Sequence, residues 1–435
     1  MNHQEKNHNN LADYINEQSK LDTLRFITCG SVDDGKSTLI GRILYEAQIL
    51  FEDQVAQLRK ESIKFGTQGN NIDFALLVDG LEAEREQGIT IDVAYRYFTT
   101  PKRKFIIADT PGHIEYTRNM VTGASTANVA LILIDARHGV VEQTKRHTFI
   151  ASLLQIPHIV VCVNKMDLVG YSEKVFTEIL KDFENISSKM LVKDVRFIPI
   201  SALHGDNVVN RSINMTWYKG SPILDTLESL HISSDINKVD ARFPVQTVLR
   251  PQTNSFIDYR GYAGRISSGI FRRGDVVTIL PSGFKSKIKS IDVYEGEIEQ
   301  AYAPMSVSMT LYDDIDICRG DMIVRENNKP KTSQDIELMI CWLNNKPLRS
   351  RAKYIIKHTT NIQKAIIKEI FYKIDISSLE RIYSDKSINM NDICKVRIRT
   401  TKPLMTDTYR QNRQTGSIIL IDEGTNETVA AGMIV

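Results

Sequence analysis

The residues with the clearest chemical potential form a glycine-rich run close to the N-terminus, between two apolar segments. The apolar segment before it predicts a strand at Thr23–Cys29, and the one after it predicts a helix at Ser37–Gln48. In this context the spacing is that of a phosphate-binding loop, whose backbone N–H groups face phosphate oxygens at a helix N-terminus. Lys36 would reach the β- and γ-phosphates of a nucleotide, and the Ser37 hydroxyl would bind Mg²⁺. The predicted phosphate contacts are Gly30, Ser31, Val32, Asp33, Asp34, Gly35, Lys36, Ser37 and Thr38.

A second loop with phosphate chemistry follows the apolar run Lys104–Ala108, which predicts another strand. An acidic residue at a strand end can hold Mg²⁺ through water, because Mg²⁺ gives up its hydration shell reluctantly. A backbone N–H in the same loop can meet the γ-phosphate, so that the loop responds to hydrolysis. The predicted residues are Asp109, Thr110, Pro111 and Gly112, and His113 follows them.

Two further loops predict a site for a guanine base. A carboxylate can accept hydrogen bonds from guanine N1–H and from its exocyclic amine, whereas adenine would leave that carboxylate unpaired. Asp167 is placed to do this in the loop after the predicted strand His158–Val163, and backbone after Val195–Ile200 could support the other side of the base. The predicted base contacts are Asn164, Lys165, Met166, Asp167, Ser201, Ala202 and Leu203.

The segment Gly88, Ile89, Thr90, Ile91 and Asp92 is weaker as a pattern and by itself resembles the start of a strand. It lies between the phosphate loop and Asp109, where a threonine that senses Mg²⁺ belongs. We therefore predict that it contacts the nucleotide, with Mg²⁺ held by Ser37, Thr90 and Asp109.

The order of elements predicts an α/β domain followed by two β-barrels. Apolar runs that suit buried parallel strands, with Val129–Ile134 among them, alternate with helical segments such as Gln143–Gln155. After residue 233, short β runs broken by glycine predict small antiparallel barrels. The predicted limits are 1–20 for a solvated leader, 21–232 for a P-loop domain with a mostly parallel, doubly wound sheet, and 240–328 and 333–435 for the barrels.

Composition argues against two classes of protein. A formal net charge of +2 in 435 residues does not suit a protein dominated by attraction to nucleic acid. No apolar run approaches the roughly 18 residues needed to span a membrane, and the N-terminus lacks the apolar core of a signal peptide. We expect a cytoplasmic protein with no nucleic-acid or membrane partner.

Together these motifs resemble the translation-factor superfamily of GTPases, which includes elongation factor Tu. The resemblance implies a GTPase domain followed by two barrels. It also implies that Thr90 is the switch ligand of Mg²⁺ and that His113 is the catalytic residue that positions the attacking water. Val32 and Ile89 would form an apolar gate beside His113.

The residues around these motifs are more similar to those of the large, GTPase subunit of bacterial sulfate adenylyltransferase. The resemblance covers about residues 22–435 and includes the phosphate loop through Gly41 and Arg42, the stretch 79–98, and the tail 412–416. It implies cofactors GTP and Mg²⁺ and a small ATP-binding partner subunit that makes adenosine 5′-phosphosulfate and pyrophosphate from ATP and sulfate. Some relatives continue into an adenylylsulfate kinase, but the sequence has no second phosphate loop, so kinase activity is not expected.

Two alternatives stay open at this point. The first is an elongation-factor-like GTPase that binds aminoacyl-tRNA, which basic segments such as 349–353 and 395–402 would suit. The second is a GTP-binding assembly protein that drives no reaction.

Overall fold

The computed structural model describes residues 21–50, 52–65, 72–77, 92–113, 117–190, 192, 194–232, 237–251, 259–349 and 351–435. The chain divides into two compact units, Met1–Ile232 and Ser233–Val435. Each unit has its own sheets and its own buried apolar core.

The first unit is built on a six-stranded sheet with strand order β2-β3-β1-β4-β5-β6. Five strands run parallel, and β2 lies antiparallel at the edge beside β3. The five apolar runs that predict strands are confirmed to within one residue at either end. The strands are β1 (Thr23–Cys29), β2 (Ala94–Thr99), β3 (Lys104–Asp109), β4 (Val129–Asp135), β5 (His158–Asn164) and β6 (Asp194–Pro199).

Helices connect the parallel strands and supply the other side of the core. Leu39 and Ile40 of the first helix are fully buried and pack in one cluster with Phe26 and Leu131 of the sheet. The helices are α1 (Lys36–Glu46), α2 (Glu52–Phe65), α3 (Thr117–Ala124), α4 (Glu142–Leu153), α5 (Glu173–Ser187) and α6 (Ile223–Ser229). Two short 3₁₀ turns occupy Phe74–Leu77 and Met166–Val169.

Strand register brings the carboxyl ends of the parallel strands to one edge of the sheet. Thr28 of β1 pairs with Asp109 of β3, and Asp135 of β4 pairs with Asn164 of β5. In open α/β sheets ligands bind outside this edge, where neighbouring connections leave in opposite directions. The phosphate loop and the loops after β3, β5 and β6 begin here.

The second unit contains a closed six-stranded barrel whose order is β10-β15-β7-β8-β14-β11, with β11 pairing back to β10. Closure leaves no free strand edge in the barrel. The strands are β7 (Arg242–Leu249), β8 (Gly261–Arg265), β10 (Val276–Leu280), β11 (Lys285–Val293), β14 (Ser306–Leu311) and β15 (Met322–Arg325). Short strands β9 (Ile270–Arg272) and β13 (Gln300–Tyr302) pair with each other, and β12 (Gly296–Glu297) pairs with β11.

A second closed barrel of the same unit has the order β17-β21-β22-β16-β20-β18, with β18 pairing back to β17. Its core surrounds the buried Trp342. The strands are β16 (Lys331–Trp342), β17 (Lys353–His358), β18 (Asn361–Ile374), β20 (Ile393–Thr406), β21 (Ser417–Asp422) and β22 (Thr428–Ile434), and β19 (Arg381–Ile382) extends β18. The predicted fold class, an α/β domain with a mostly parallel sheet followed by two antiparallel barrels, is confirmed.

A buried ion pair joins the two barrels. The Arg242 guanidinium donates two hydrogen bonds to the Asp407 carboxylate, at 2.9 and 2.8 Å. Thr415 donates to the same carboxylate at 2.6 Å, and Asn412 donates to Ser268 of the first barrel at 2.7 Å. The tail motif 412–416 thus belongs to the joint between the barrels.

Removing one partner of this pair is expected to destabilise the second unit strongly. Asp407→Ala leaves the Arg242 charge buried without its carboxylate, which costs about 3–5 kcal/mol. The double variant with Arg242→Met should recover part of the loss, because it removes the unpaired charge. Denaturant unfolding followed by Trp342 fluorescence in a Trp217→Phe background measures both. An Asp407→Ala midpoint equal to that of the parent would contradict the prediction.

None of the helices in the described part of the chain combines the length and the apolar character that crossing a bilayer requires.

Candidate functional site

The phosphate loop adopts a conformation that only its glycine pattern permits. Gly35 has φ +89° and immediately precedes helix α1, which begins at Lys36. A Cβ on Gly35 would lie 2.5 Å from the Asn164 side-chain amide nitrogen, so the loop needs glycine for space as well as for φ. The Ser31 N–H donates to the Asp34 carboxylate at 2.5 Å, which closes the turn.

The Lys36 ammonium lies inside this loop. It donates to the Ser31 carbonyl at 2.8 Å and to the Gly30 carbonyl at 3.4 Å. Burial lowers the pKa of Lys36, while the nearby carboxylates of Asp109 and Asp34 favour its charged form. Among the described residues the Lys36 ammonium donates to carbonyls, and a buried ammonium gains from an anionic ligand such as a nucleotide phosphate.

Asp109 is fully buried at the end of β3. It lies beside Ser37, the residue that follows Lys36 in helix α1. Its carboxylate accepts a hydrogen bond from Thr28 at 2.7 Å and one from Ser37 at 3.3 Å. The site therefore offers a hydroxyl and a carboxylate side by side, which are hard oxygen donors of the kind that Mg²⁺ prefers.

The loop after Asp109 packs directly over the phosphate loop. A Cβ on Gly112 would lie 2.5 Å from the Lys36 ammonium nitrogen and 2.9 Å from the Gly30 carbonyl oxygen. Only glycine fits at this distance, so the backbone of this loop and the Lys36 ammonium lie side by side. His113 follows immediately and is half-buried.

A buried histidine that the sequence did not single out connects the two loops. His147 of α4 accepts the Gly30 N–H at its Nδ1, at 3.0 Å. Its Nε2 lies 3.1 Å from the Gln143 amide nitrogen, which donates to the Gly112 carbonyl at 3.2 Å. Gln143 and His147 are four residues apart on one helix face. This spacing predicts that their side chains lie side by side, but it does not predict which other residues they contact.

His147 should make the stability of the first unit depend on pH. Burial lowers the pKa of His147 to about 3, and the charges of Lys36 and Arg146 act in the same direction. In the unfolded chain a histidine takes up a proton below about pH 6.5, whereas the folded ring stays neutral, so stability falls as pH falls from about 6.5 towards 3. Lowering the pH from 7 to 5 should cost about 2 kcal/mol through this residue. His147→Gln should remove that part of the loss.

The measurement is the free energy of unfolding of the parent and of His147→Gln at pH 7 and at pH 5. The difference between the two proteins should narrow or invert at the lower pH. Equal pH dependence in both would show that His147 does not titrate as its burial predicts.

The two loops that the sequence predicts to bind the base meet beside the phosphate loop. Asn164 donates from its amide to the Asp34 carbonyl at 2.7 Å and accepts the Ala202 N–H at 2.9 Å. Its side chain therefore fixes both loops, which explains an asparagine at this position. Asp167 accepts a hydrogen bond from the Ser201 hydroxyl at 2.7 Å, and its carboxylate stays partly accessible. One oxygen-rich edge thus remains for a ligand with adjacent N–H groups.

Lys165 is held by Asp135, the last residue of β4. Its ammonium lies 3.0 Å from the Asp135 carboxylate, which also accepts two hydrogen bonds from the Arg137 guanidinium. Burial alone would raise the pKa of Asp135, but hydrogen bonds from Arg137 and Lys165 outweigh it and hold that pKa well below its usual range. Asp135 therefore stays ionised and holds Lys165 in an ion pair.

The structure brings the loops 30–38, 109–113, 164–167 and 201–203 together at one edge of the sheet. Gly88, Ile89, Thr90 and Ile91, and the leader 1–20, lie outside the described residues. Asp92 is described, and its carboxylate accepts the N–H of Val93 just before β2. Sequence reasoning missed Thr28, His147, Gln143 and Arg42, because their partners are far away along the chain.

Two families match the sequence. Residues 21–254 match the family described as Elongation factor Tu GTP binding domain, and residues 335–435 match the one described as GTP-eEF1A C-terminal domain-like. The first match covers more than half of the chain, and it shows that residues 21–254 belong to this family of GTP-binding domains.

Curated relatives match over nearly the whole chain. Sulfate adenylyltransferase subunit 1 of Alteromonas mediterranea is 51% identical over 98% of this chain and 89% of its own length. The protein of the same name from Bacteroides thetaiotaomicron is 50% identical over 97% of this chain and 88% of its own. Bifunctional enzyme CysN/CysC of Rhodopirellula baltica is 52% identical over 97% of this chain, which spans less than two thirds of that protein's length (65%).

Among solved structures, the S. cerevisiae Ski7 GTPase-like domain bound to GTP resembles the chain with a TM-score of 0.52. The similarity covers 98% of this chain and 99% of that one at 20% sequence identity, so it concerns the fold alone.

Proposed function

Because the chain belongs to the sulfate adenylyltransferase subunit 1 family, we propose that it is the GTP-hydrolysing subunit of a heteromeric sulfate adenylyltransferase. A separate, small ATP-binding subunit would join ATP and sulfate into adenosine 5′-phosphosulfate and pyrophosphate. This chain would supply the energy of GTP hydrolysis to that reaction, and we place the complex in the cytoplasm.

One observation carries the nucleotide part of the proposal. A base site with an accessible carboxylate on Asp167 and a phosphate site around Lys36 share a single sheet edge, with Asn164 bonded to both loops. The carboxylate selects guanine over adenine, since only guanine offers two adjacent N–H groups. The Lys36 ammonium would donate to oxygens of the β- and γ-phosphates in place of the carbonyls it now contacts.

The donors at the phosphate end fit Mg²⁺. The Ser37 hydroxyl would bind it directly, the Asp109 carboxylate would bind it through water, and we propose Thr90 as a third oxygen donor. When bound, Mg²⁺ would neutralise charge on the β- and γ-phosphates. Thr28 supports the arrangement, because its hydrogen bond holds Asp109 in place.

We propose that hydrolysis uses the loop after β3. The Gly112 N–H would bind a γ-phosphate oxygen, and this contact would exist only while that phosphate is present. His113 would hold a water molecule in line with the γ-phosphorus. Val32 and Ile89 would form the apolar gate that the His113 side chain must pass. The water adds to phosphorus, the bond to the bridging oxygen breaks, and GDP and phosphate leave.

The driven reaction needs such an input of energy, because the phosphoric–sulfuric anhydride is a high-energy bond. Coupling requires a structural element with two conformations, and the state of each active site must shift the equilibrium between them. The phosphate-sensing loop at Gly112 is the best candidate in the described chain. Its contact with Gln143 and His147 carries any movement to helix α4.

In this proposal the domains divide the work. Residues 21–232 bind and hydrolyse the nucleotide, and the barrels at 240–328 and 333–435 complete the subunit. Residues 1–20 precede these domains as a leader. The alternative of a translation factor that binds aminoacyl-tRNA is disfavoured, since near full-length relatives at about 50% identity are sulfate adenylyltransferase subunits.

The decisive experiment is co-expression of the chain with a candidate ATP-binding sulfate adenylyltransferase subunit. Pyrophosphate release from ATP and sulfate is then measured with and without GTP. We expect the two proteins to purify together and GTP to increase the yield of pyrophosphate and adenosine 5′-phosphosulfate.

A matched control tests whether the nucleotide bound to this chain is the one that drives the reaction. In a complex with Asp167→Asn, xanthosine triphosphate should replace GTP as the driving nucleotide, because the altered side chain pairs with xanthine. If GTP leaves the yield unchanged in the parent complex, the proposed function is wrong.

A further inference from the structure

Arg42 connects helix α1 to the loop that supports the guanine base. Its Nε donates to the Ala202 carbonyl at 3.0 Å, and one of its terminal nitrogens donates to the Leu203 carbonyl. The other terminal nitrogen lies 3.3 Å from Glu46, and the guanidinium stacks 4.2 Å from the Phe74 ring centre. All sides of the guanidinium are therefore occupied, and the side chain is only 13% exposed.

The surroundings of Arg42 are shaped to hold it. A Cβ on Gly41 would lie 2.2 Å from the Phe74 carbonyl oxygen, so a glycine at this position lets Phe74 approach the helix and cover Arg42. A Cβ on Gly205, which has φ +84°, would lie 2.0 Å from a Glu46 carboxylate oxygen. Two glycines thus make room for the arginine and for the acid that pairs with it.

Holding two successive carbonyls fixes the direction of the N–H groups that follow them. In a trans peptide the C=O and the next N–H point in opposite directions within one plane. Since the Ala202 carbonyl points at Arg42, the N–H of Leu203 points away from α1. The Ala202 N–H is already directed at Asn164, so the loop presents its backbone towards the base site.

We propose that Arg42 is a positioning residue for guanine recognition. Through the carbonyls of Ala202 and Leu203 it orients the Leu203 N–H to donate to the oxygen at C6 of the base. Asp167 accepts from N1 and from the amine at C2, so the two sides of the base are recognised separately. This inference rests on the proposed binding of GTP.

The chain contains a matched control for a merely structural arginine. Arg103 is also buried, and its guanidinium donates to the carbonyls of Leu227 and Leu230 at 2.9 and 2.6 Å. Those carbonyls belong to the end of α6, on another part of the first unit from the base loops. Arg103→Met therefore removes a comparable arginine clamp without touching nucleotide recognition.

The test compares GTP with 6-thio-GTP, in which sulfur replaces the oxygen at C6 while the groups that face Asp167 are unchanged. Dissociation constants are measured for the full chain and for Arg42→Met, Arg42→Lys and Arg103→Met. The parent and Arg103→Met should bind GTP about fivefold more tightly than 6-thio-GTP. This ratio corresponds to the usual net contribution of one hydrogen bond. In both Arg42 variants GTP affinity should fall about fivefold, 6-thio-GTP affinity should change little, and the preference should vanish.

Arg42→Lys keeps the stem and the charge but has no planar fork to serve two carbonyls, so it decides the matter if Arg42→Met fails to fold. The inference is overturned if an Arg42 variant keeps the parent's preference, or if its affinities for both nucleotides fall together. A parent chain that binds neither nucleotide would instead contradict the proposed function.

Discussion

Replacing Asp167 by asparagine is expected to weaken GTP binding by about a hundredfold to ten-thousandfold. Two hydrogen bonds to an ionised carboxylate would be lost, and each contributes about 1.5–3 kcal/mol. The asparagine amide would also place donor hydrogens against the N1–H and amine of guanine. Xanthine carries a carbonyl at C2 in place of the amine, so affinity for xanthosine diphosphate should rise in the variant.

The Asp167→Asn substitution should leave the neighbouring contacts in place. Asparagine has the shape of aspartate, and the Ser201 hydroxyl that now donates to Asp167 at 2.7 Å can donate to the amide oxygen as well. Calorimetric titration with GDP and xanthosine diphosphate measures the exchange of preference. Asp182→Asn, an exposed substitution on α5, is the control for loss of one charge. Unchanged guanine affinity in Asp167→Asn would remove this residue from base recognition.

Replacing His113 by alanine should slow GTP hydrolysis by about a hundredfold or more and leave GTP affinity within about twofold of the parent value. A side chain that positions a reacting water acts in the transition state, and such groups contribute about 10²–10⁴-fold. The substrate contacts of the phosphate loop remain, because Lys36 and Gly112 meet each other independently of the histidine ring. The loss should therefore fall on the rate of the chemical step.

Single-turnover hydrolysis in the complex with the ATP-binding subunit, together with GTP affinity, separates the two effects. His138→Ala is the matched control, since His138 follows β4 and its ring lies beside Asp135 and not in the loop after β3. A His113→Ala complex that hydrolyses GTP at the parent rate would exclude the water-positioning role. A parallel loss of affinity would show instead that the histidine supports the loop.

The short motifs could be recognised without the structure because their requirements are local. Gly35 must adopt a positive φ, and Lys36 must follow it at a helix start, so a few consecutive residues already specify a phosphate loop. The carboxyl ends of parallel strands share one edge, and therefore Asp109 and Asn164 could be expected near that loop. Strand limits were also predictable, since each run is apolar, short and bounded by polar turns.

The supporting side chains could not be predicted in this way. His147 bonds to a residue 117 positions away, Thr28 to one 81 positions away, and Arg42 to carbonyls about 160 positions away. Such contacts depend on strand order, on register and on the rotation of each helix about its axis. Many arrangements of the same elements satisfy the sequence pattern, and packing selects one of them.

The sequence by itself therefore determined the phosphate loop, the guanine preference and the order of an α/β domain before two barrels. Local backbone geometry and hydrogen-bonding chemistry dictate these features. Only the tertiary structure decided that Gly112 rests on Lys36, that His147 and Gln143 connect their two loops, and that Arg42 holds the base loop. Those contacts arise when distant segments are packed against each other, because a hydrogen bond requires a distance and a direction that no local pattern encodes.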